Sequence, residues 1–206
     1  MRLKVGDHVS LFINTSGEWK SEIVDIKNNF LIAKTISQVS SPQADTSIDL
    51  MFSPIKYQNS ESVIRQSTEM GIRSIFPTIF KRTINTKINL SKFNTYAMGA
   101  AQQSERLSIP NIHDLNDLKN QSKFMSSKTI LMFDENLKGI HLSQAKIKSN
   151  SEILVVIGPE GGFEEEERAF ISKSSNNFLN VSLGSNILKA DTAVIAALSL
   201  TFHYFS

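Results

Sequence analysis

There is no cysteine in this 206-residue chain. Disulfides, thiolate metal sites and a cysteine nucleophile are therefore excluded. Redox chemistry leaves the compartment unset, and a cytoplasmic protein is the simplest fit. Four histidines, His8, His113, His141 and His203, are scattered without ligand spacing, so no metal is expected. Met1–Ser10 alternates polar and apolar residues and lacks the apolar core of a secretory signal. The most apolar stretch, Ala193–Phe205, is too short and too interrupted to span a bilayer. A net charge of only +2 gives no overall charge argument for nucleic acid. There is no internal repeat and no long low-complexity tract.

What is there is an ordinary globular composition, 40% hydrophobic and 20% charged. The chain is long enough to bury a core without staples, as one medium domain or a larger domain plus a small one. Its charge is uneven. Between Glu61 and Arg106, Arg65, Arg73, Lys81, Arg82, Lys87, Lys92 and Arg106 oppose Glu61, Glu69 and Glu105. A local basic face holds phosphates even on a nearly neutral chain; a solvated charged surface has the same look.

Residues 1–56 read as β structure. His8–Ile13 alternates with period two, Asn14–Glu18 is a hairpin loop, Trp19–Ile26 and Phe30–Ile36 are the next strands, and Leu50–Phe52 is the last. This predicts a short-stranded sheet or small barrel, with a boundary near Lys56–Ser60. Helix and strand then alternate over residues 57–206. Helices are expected at Ser60–Met70, with Ser60 as N-cap and Gly71 at C′, and at Ser91–Ser104, Phe163–Ser172 and Asp191–Phe205. Strands are expected at Ser74–Pro77, Thr129–Phe133, Ile153–Ile157 and Asn180–Leu183. Ile153–Ile157 has no polar alternation, as in parallel strands covered on both faces. The class is α/β, a parallel sheet between helices, whose ligands bind beyond the carboxyl ends of the strands.

Three segments carry chemistry. Ile157-Gly158-Pro159-Glu160-Gly161-Gly162-Phe163 follows the most apolar strand and precedes a helix. Its glycines let backbone approach a ligand, although a tight connection needs glycine as well. It is neither a Walker loop nor the dinucleotide fingerprint. The acidic run Glu164–Glu167 reads as favourable charge in a first helical turn. Leu183–Ala193 again joins strand to helix: Gly184 breaks the strand, Ile187 and Leu188 offer a wall for a flat ring, Lys189 adds a cation, and Asp191 or Thr192 caps the helix. The third segment, Met98–Pro110, places Gln102, Gln103, Ser104 and Arg106 together, a set suited to base edges and phosphates; a plain surface helix has the same appearance.

In this order the segments resemble the ribosomal RNA small subunit methyltransferase E family, over essentially the whole chain. Arg2–Asp7 is similar to the family's "RLKxGD". Ser67–Ile72 with Ile75-Phe76-Pro77 resembles "xTELGVxxIxP". Ala100–Arg106 with Ile109-Pro110 resembles "AxEQSxR…xP". Gly158–Gly162 matches "GPEGG", and Leu183–Ala193 resembles "LGxRILRxETA". Asn186 and Lys189 stand where the family has Arg, Asp191 and Gln102 where it has Glu. Lys keeps the charge but loses the bidentate fork. The start lies inside the family's barrel, so one strand or so is expected to be lacking.

The resemblance implies a knotted (SPOUT, trefoil) α/β domain over residues 57–206, helices on both sheet faces, behind a PUA-like, RNA-binding β-barrel over residues 1–56. It implies S-adenosylmethionine as methyl donor, N3 of a uridine in 16S rRNA of the small ribosomal subunit as acceptor, and a homodimer. Carried over by position, the donor pocket comprises Phe133, Asp134, Ile157, Gly158, Pro159, Glu160, Gly161, Gly162, Leu183, Gly184, Ile187 and Leu188. Lys189, helped by Arg106, is expected to stabilise charge developing on the uracil oxygens. Asp191 orients Lys189 or accepts the proton, and helix capping explains it equally well. Arg65, Arg73, Lys81 and Arg82 are expected on rRNA phosphates, with Gln102 and Gln103 on RNA. Two other readings are another knotted RNA methyltransferase and an assembly factor that binds RNA without catalysis.

Overall fold

The computed structural model describes residues 3–28, 30–42, 46–134 and 139–205. Strands β1 (His8–Ile13), β2 (Gly17–Lys27) and β3 (Phe30–Ser40) form an antiparallel sheet. This is the expected PUA-like antiparallel region, and among the described residues it shows three strands. Many of its apolar side chains are exposed, Phe30 to 74%, whereas Ile23 of β2 is buried. The ribbon is fastened to the rest of the chain by reciprocal bonds between the Asn14 side-chain amide and the backbone N–H and C=O of Ile109.

β4 (Ile48–Phe52) corrects the expected boundary. It is not the last strand of the first sheet but a central strand of the second, parallel to β5 (Ser74–Ile79) and to β9 (Ile153–Ile157). All five of its residues are buried, so it belongs where both faces are covered. Before β5 comes α1 (Tyr57–Glu69); after it come α2 (Leu90–Gln103), the two-residue strands β6 (Asn111–Ile112) and β7 (Asn116–Asp117), the single turn α3 (Leu118–Gln121) and β8 (Thr129–Phe133). After β9 the chain adds α4 (Glu165–Lys173), β10 (Asn177–Val181) and α5 (Ala190–Phe205). The strand order is β10-β8-β9-β4-β5-β6, with β7 also on β5, and every pairing is parallel.

Alternate residues of the central strands feed two cores. Leu50, Phe52, Leu131, Phe133, Ile153, Val155 and Ile157 pack beneath α1, α2 and α5. Met51, Ile130, Met132, Leu154 and Val156 pack on the other face with Phe163 and Ile171. Each such side chain contributes about 1.5–3 kcal/mol by leaving water. The C-terminal segment lies against the long connection that follows β8. Ile140 bridges Val181, and the Tyr204 hydroxyl donates to Ala145 O.

Two local expectations shift. Ser60 lies inside α1, whose N-cap is Lys56; the Ser60 hydroxyl bonds Ile55 O instead. β10 begins earlier than expected because Asn177 and Phe178 pair with Thr129 and Ile130 of β8. Gly71 does sit at C′ of α1, with φ +97° and the paired bonds Gly71 N to Thr68 O and Ile72 N to Ser67 O.

At the amino ends of the strands is a buried ion cluster. Asp49 of β4, its side chain 1% exposed, accepts from Lys128 Nζ at 2.5 Å and from both Arg73 Nε and Nη2. Arg73 also reaches Glu152 at 2.9 Å. Burial alone would raise the Asp49 carboxyl, but the Arg73 and Lys128 hydrogen bonds outweigh it and hold the group below its usual value. A depressed carboxyl stabilises the fold above its unfolded value, and that contribution is lost as the pH falls below about 4. Asp49→Asn, which strands the Lys128 charge, is expected to cost about 3–5 kcal/mol at pH 7 in urea denaturation. The gap to wild type should begin to narrow below about pH 4, where Asp49 protonates in the unfolded chain, and should close only as the pH passes below the depressed native value. Equal stability at neutral pH would contradict this account.

Candidate active site

The register brings four strand ends level. Phe133 of β8 pairs with both Ile157 of β9 and Val181 of β10, and Ile157 pairs with Phe52 of β4. The segments that leave β8, β9 and β10 therefore rise side by side from the carboxyl edge of the sheet. Between them lies an open cleft of about 590 Å³, open solvent included.

Of the expected donor residues, Phe133, Asp134, Ile157, Gly158, Pro159, Glu160, Leu183, Ile187 and Leu188 line this one cleft. Gly161, Gly162 and Gly184 do not; they shape its loops. The 157–163 loop is folded on itself. Gly162 has φ +74° and donates to Pro159 O. A Cβ at Gly158 would come within 2.8 Å of the buried Phe163 ring, so glycine is needed there for loop packing rather than for space in the cleft. Glu164 and Glu167 form a reciprocal capping box on α4, which confirms the helix-start reading of the acidic run. Asp134 borders the cleft, yet its carboxylate is buried and held by Arg168 of α4 at 2.5 Å. Sequence reasoning missed Asn186, Ala190 and Ala193 as lining residues. The two alanines are three apart at the start of α5, a one-face spacing with small side chains that could have marked a close approach.

The expected catalytic residues separate. Lys189 is exposed between Leu188 and Ala190, both of which line the cleft. Asp191 Oδ1 accepts from Thr192 N in the first turn of α5, so it satisfies an open helix donor. Arg106 is elsewhere. Its guanidinium bonds Ser108 Oγ, Thr68 O and Ile72 O, and it lines a depression beside the N-terminal sheet with Gln102. There it ties the end of α2 to the end of α1.

The expected RNA cations divide as well. Arg73 is spent on Asp49 and Glu152 at the opposite end of the sheet, and its guanidinium is held more firmly charged by them. Arg65 pairs with Glu61 one helical turn away and lies over the Tyr96 ring. Lys81 and Arg82 follow β5 at the cleft end, where Lys81 meets Glu166 at 2.9 Å and Arg82 meets Glu164 and Gly161 O. Gln102 and Gln103 are exposed at the end of α2.

The cleft fits a nucleoside-type donor. Ile187 is 74% exposed, an apolar wall awaiting cover. Among the described residues, the backbone N–H groups of Glu160, Asn186, Ile187 and Leu188 have no intramolecular acceptor. Apolar walls with a few unpaired backbone donors suit a heterocycle with acceptor nitrogens. No group of three metal-ligating side chains occurs among the described residues.

The fold is that of known methyltransferases. A Neisseria gonorrhoeae ribosomal RNA small subunit methyltransferase E bound to S-adenosylmethionine superposes with a TM-score of 0.85 at 22% identity, over 98% of this chain and 84% of that one. A Legionella pneumophila protein described as a methyltransferase, with the cofactor bound, gives 0.84 at 25% identity, over 98% and 85%. An Aquifex aeolicus TrmH/SpoU tRNA modifying enzyme gives 0.50 at 14% identity, over 77% and 75%. The chain is thus an α/β methyltransferase of the SPOUT class, with an antiparallel PUA-like region ahead of it. Residues 42–201 match the RNA methyltransferase domain family and residues 1–36 its PUA domain. Ribosomal RNA small subunit methyltransferase E of Rickettsia conorii is 33% identical over 97% of this chain and 82% of its own length. A Borreliella burgdorferi relative of that name is 28% identical over 96% and 83%. The chain belongs to the ribosomal RNA small subunit methyltransferase E family.

Gly158→Ala is expected to force the loop off Phe163 at a cost of about 1–3 kcal/mol. Titration calorimetry with S-adenosylmethionine should show affinity falling at least tenfold, that is by about 1.4 kcal/mol or more. Unchanged affinity would show that the loop shape does not set the cleft.

Proposed function

We propose that this chain methylates N3 of a uridine in 16S rRNA of the small ribosomal subunit, in the cytoplasm and as a homodimer. The observation that carries the reading is the single cleft in which the ends of β8, β9 and β10 bring together the residues expected from three separate segments. Family membership supplies the substrate class.

Bound S-adenosylmethionine supplies an electrophilic methyl group. Phe133, Ile157, Gly158 to Glu160, Leu183, Ile187 and Leu188, which line the cleft, would hold it. Their task is alignment with the acceptor nitrogen, and orientation of this kind removes up to about 7–11 kcal/mol of a barrier. Uridine N3 carries a weakly acidic proton between two carbonyls, so its removal leaves negative charge on the ring oxygens. Lys189 is the cation at the cleft rim that meets that charge. Arg106, bonded to two backbone carbonyls, acts within this chain as a positioning residue for the α1 and α2 ends. Exposed Leu200 on α5 and Met98 on α2 offer apolar surface for a second copy.

Mass spectrometry of 16S rRNA from a deletion strain tests the substrate. N3-methyluridine should disappear and return on complementation; its persistence would end the substrate claim. Lys189→Ala is expected to lower kcat by about 100-fold or more, the effect of removing one stabilising donor. Its affinity for S-adenosylmethionine should stay within about twofold, less than 0.5 kcal/mol. A variant that loses cofactor affinity but keeps kcat would place Lys189 in binding instead.

A further inference from the structure

Beside the cofactor cleft is a second hollow, of about 330 Å³ with open solvent included, lined by Ser53, Ile55, Lys56, Arg82, Ile84 and Asn85. Pro159 and Glu160 line both and form the ridge between them. The order of strands explains the juxtaposition. The cofactor cleft stands over the ends of β10, β8 and β9, and the hollow over the ends of β4 and β5, next in the sheet.

The hollow is built rather than incidental. Its two loops are tied by Ser53 Oγ to Thr83 Oγ1 at 2.8 Å and by Asn85 Nδ2 to Ile55 O at 3.0 Å. Phe80 N donates to Thr83 Oγ1 at 2.8 Å and fixes the turn after β5. Its chemistry is that of a nucleotide site. Lys56 has no charge or hydrogen-bond partner for its ammonium group among the described residues. Arg82 uses Nε and one Nη1 hydrogen on Glu164 and Gly161, and keeps further N–H donors. Asn85 keeps a second amide N–H and its carbonyl oxygen. Ile84, 83% exposed, and Pro159 give apolar surface on which a ring can lie.

We infer that this hollow receives the nucleotide to be methylated, with its base against Ile84 and Pro159. Asn85 donates to a base carbonyl, and Lys56 and Arg82 contact the flanking phosphates. The Pro159–Glu160 ridge then sets the approach of the acceptor ring to the cofactor cleft. The inference rests on the RNA methyltransferase reading above and adds to it the acceptor's place and its selecting residues.

The test uses the full chain and a labelled single-stranded oligoribonucleotide holding one 4-thiouridine. Lys56 is the N-cap of α1 but makes no side-chain cap bond, so Lys56→Ala leaves the helix start intact. Its RNA affinity should fall, and the slope of log affinity against log salt should lessen by about 0.7, the value for one phosphate contact on a single strand. Asn85→Ala should raise the RNA KM with the salt slope unchanged, and both variants should keep wild-type affinity for S-adenosylmethionine. Photocrosslinks from the 4-thiouridine should map to residues 53–56, 84–85 or 159. Unchanged RNA affinity and salt slope in Lys56→Ala, or crosslinks confined to the Gln102 depression, would overturn the inference while methylation by wild type left the family activity standing. Wild-type protein that neither bound S-adenosylmethionine nor methylated rRNA would overturn both.

Discussion

Parallel pairing with strand ends in step is the constraint on which the rest of the molecule depends. A parallel sheet forces every connection to cross back over a face, and so delivers successive loops to the same edge. Here Phe52, Ile157, Phe133 and Val181 stand in register across four strands. Segments more than forty residues apart in the chain thereby meet around one cleft. A slip of one residue in β8 or β9 would turn its apolar set from one core to the other, because alternate side chains serve opposite faces. The cleft geometry and the core packing are thus set by the same register.

The two ends of the sheet divide the work of the charges. At the amino ends, Asp49, Arg73, Lys128 and Glu152 neutralise one another and join β4, the approach to β5, the approach to β8 and the approach to β9. A buried pair of this kind adds little net stability over apolar packing, but losing one partner is expensive. It therefore penalises any pairing that separates those segments. At the carboxyl ends the ion pairs Lys81–Glu166 and Arg82–Glu164 are exposed.

Much of this was legible. The β8 and β9 strands were readable to the residue because runs of four and five consecutive apolar positions mark a strand covered on both faces. The two glycine-bearing loops that line the cleft were readable as exposed connections because each stands between a strand and a helix. β4 was assigned to the wrong sheet, since the short apolar run Leu50–Phe52 carries no mark of which sheet will take it; that is decided by β9, about a hundred residues later. The role of Gly158 was read only in part. The need for a bare Cα is visible in sequence, but whether the neighbour is a ligand or Phe163 is a tertiary fact.

The basic residues between Glu61 and Arg106 show what a charge tally omits. Count alone treats Arg73, Lys81 and Arg82 alike. Position relative to β5 separates them: Arg73 precedes the strand and lies at the amino end, whereas Lys81 and Arg82 follow it and lie at the ligand edge. The same criterion sets Lys189, which follows β10, apart from Lys128, which precedes β8 and is buried on Asp49. Lys56, between β4 and α1, satisfies it too. In a parallel α/β chain the informative question about a cation is which end of the nearest strand it adjoins, because that end alone decides whether it can meet the ligand or must find its partner within the fold.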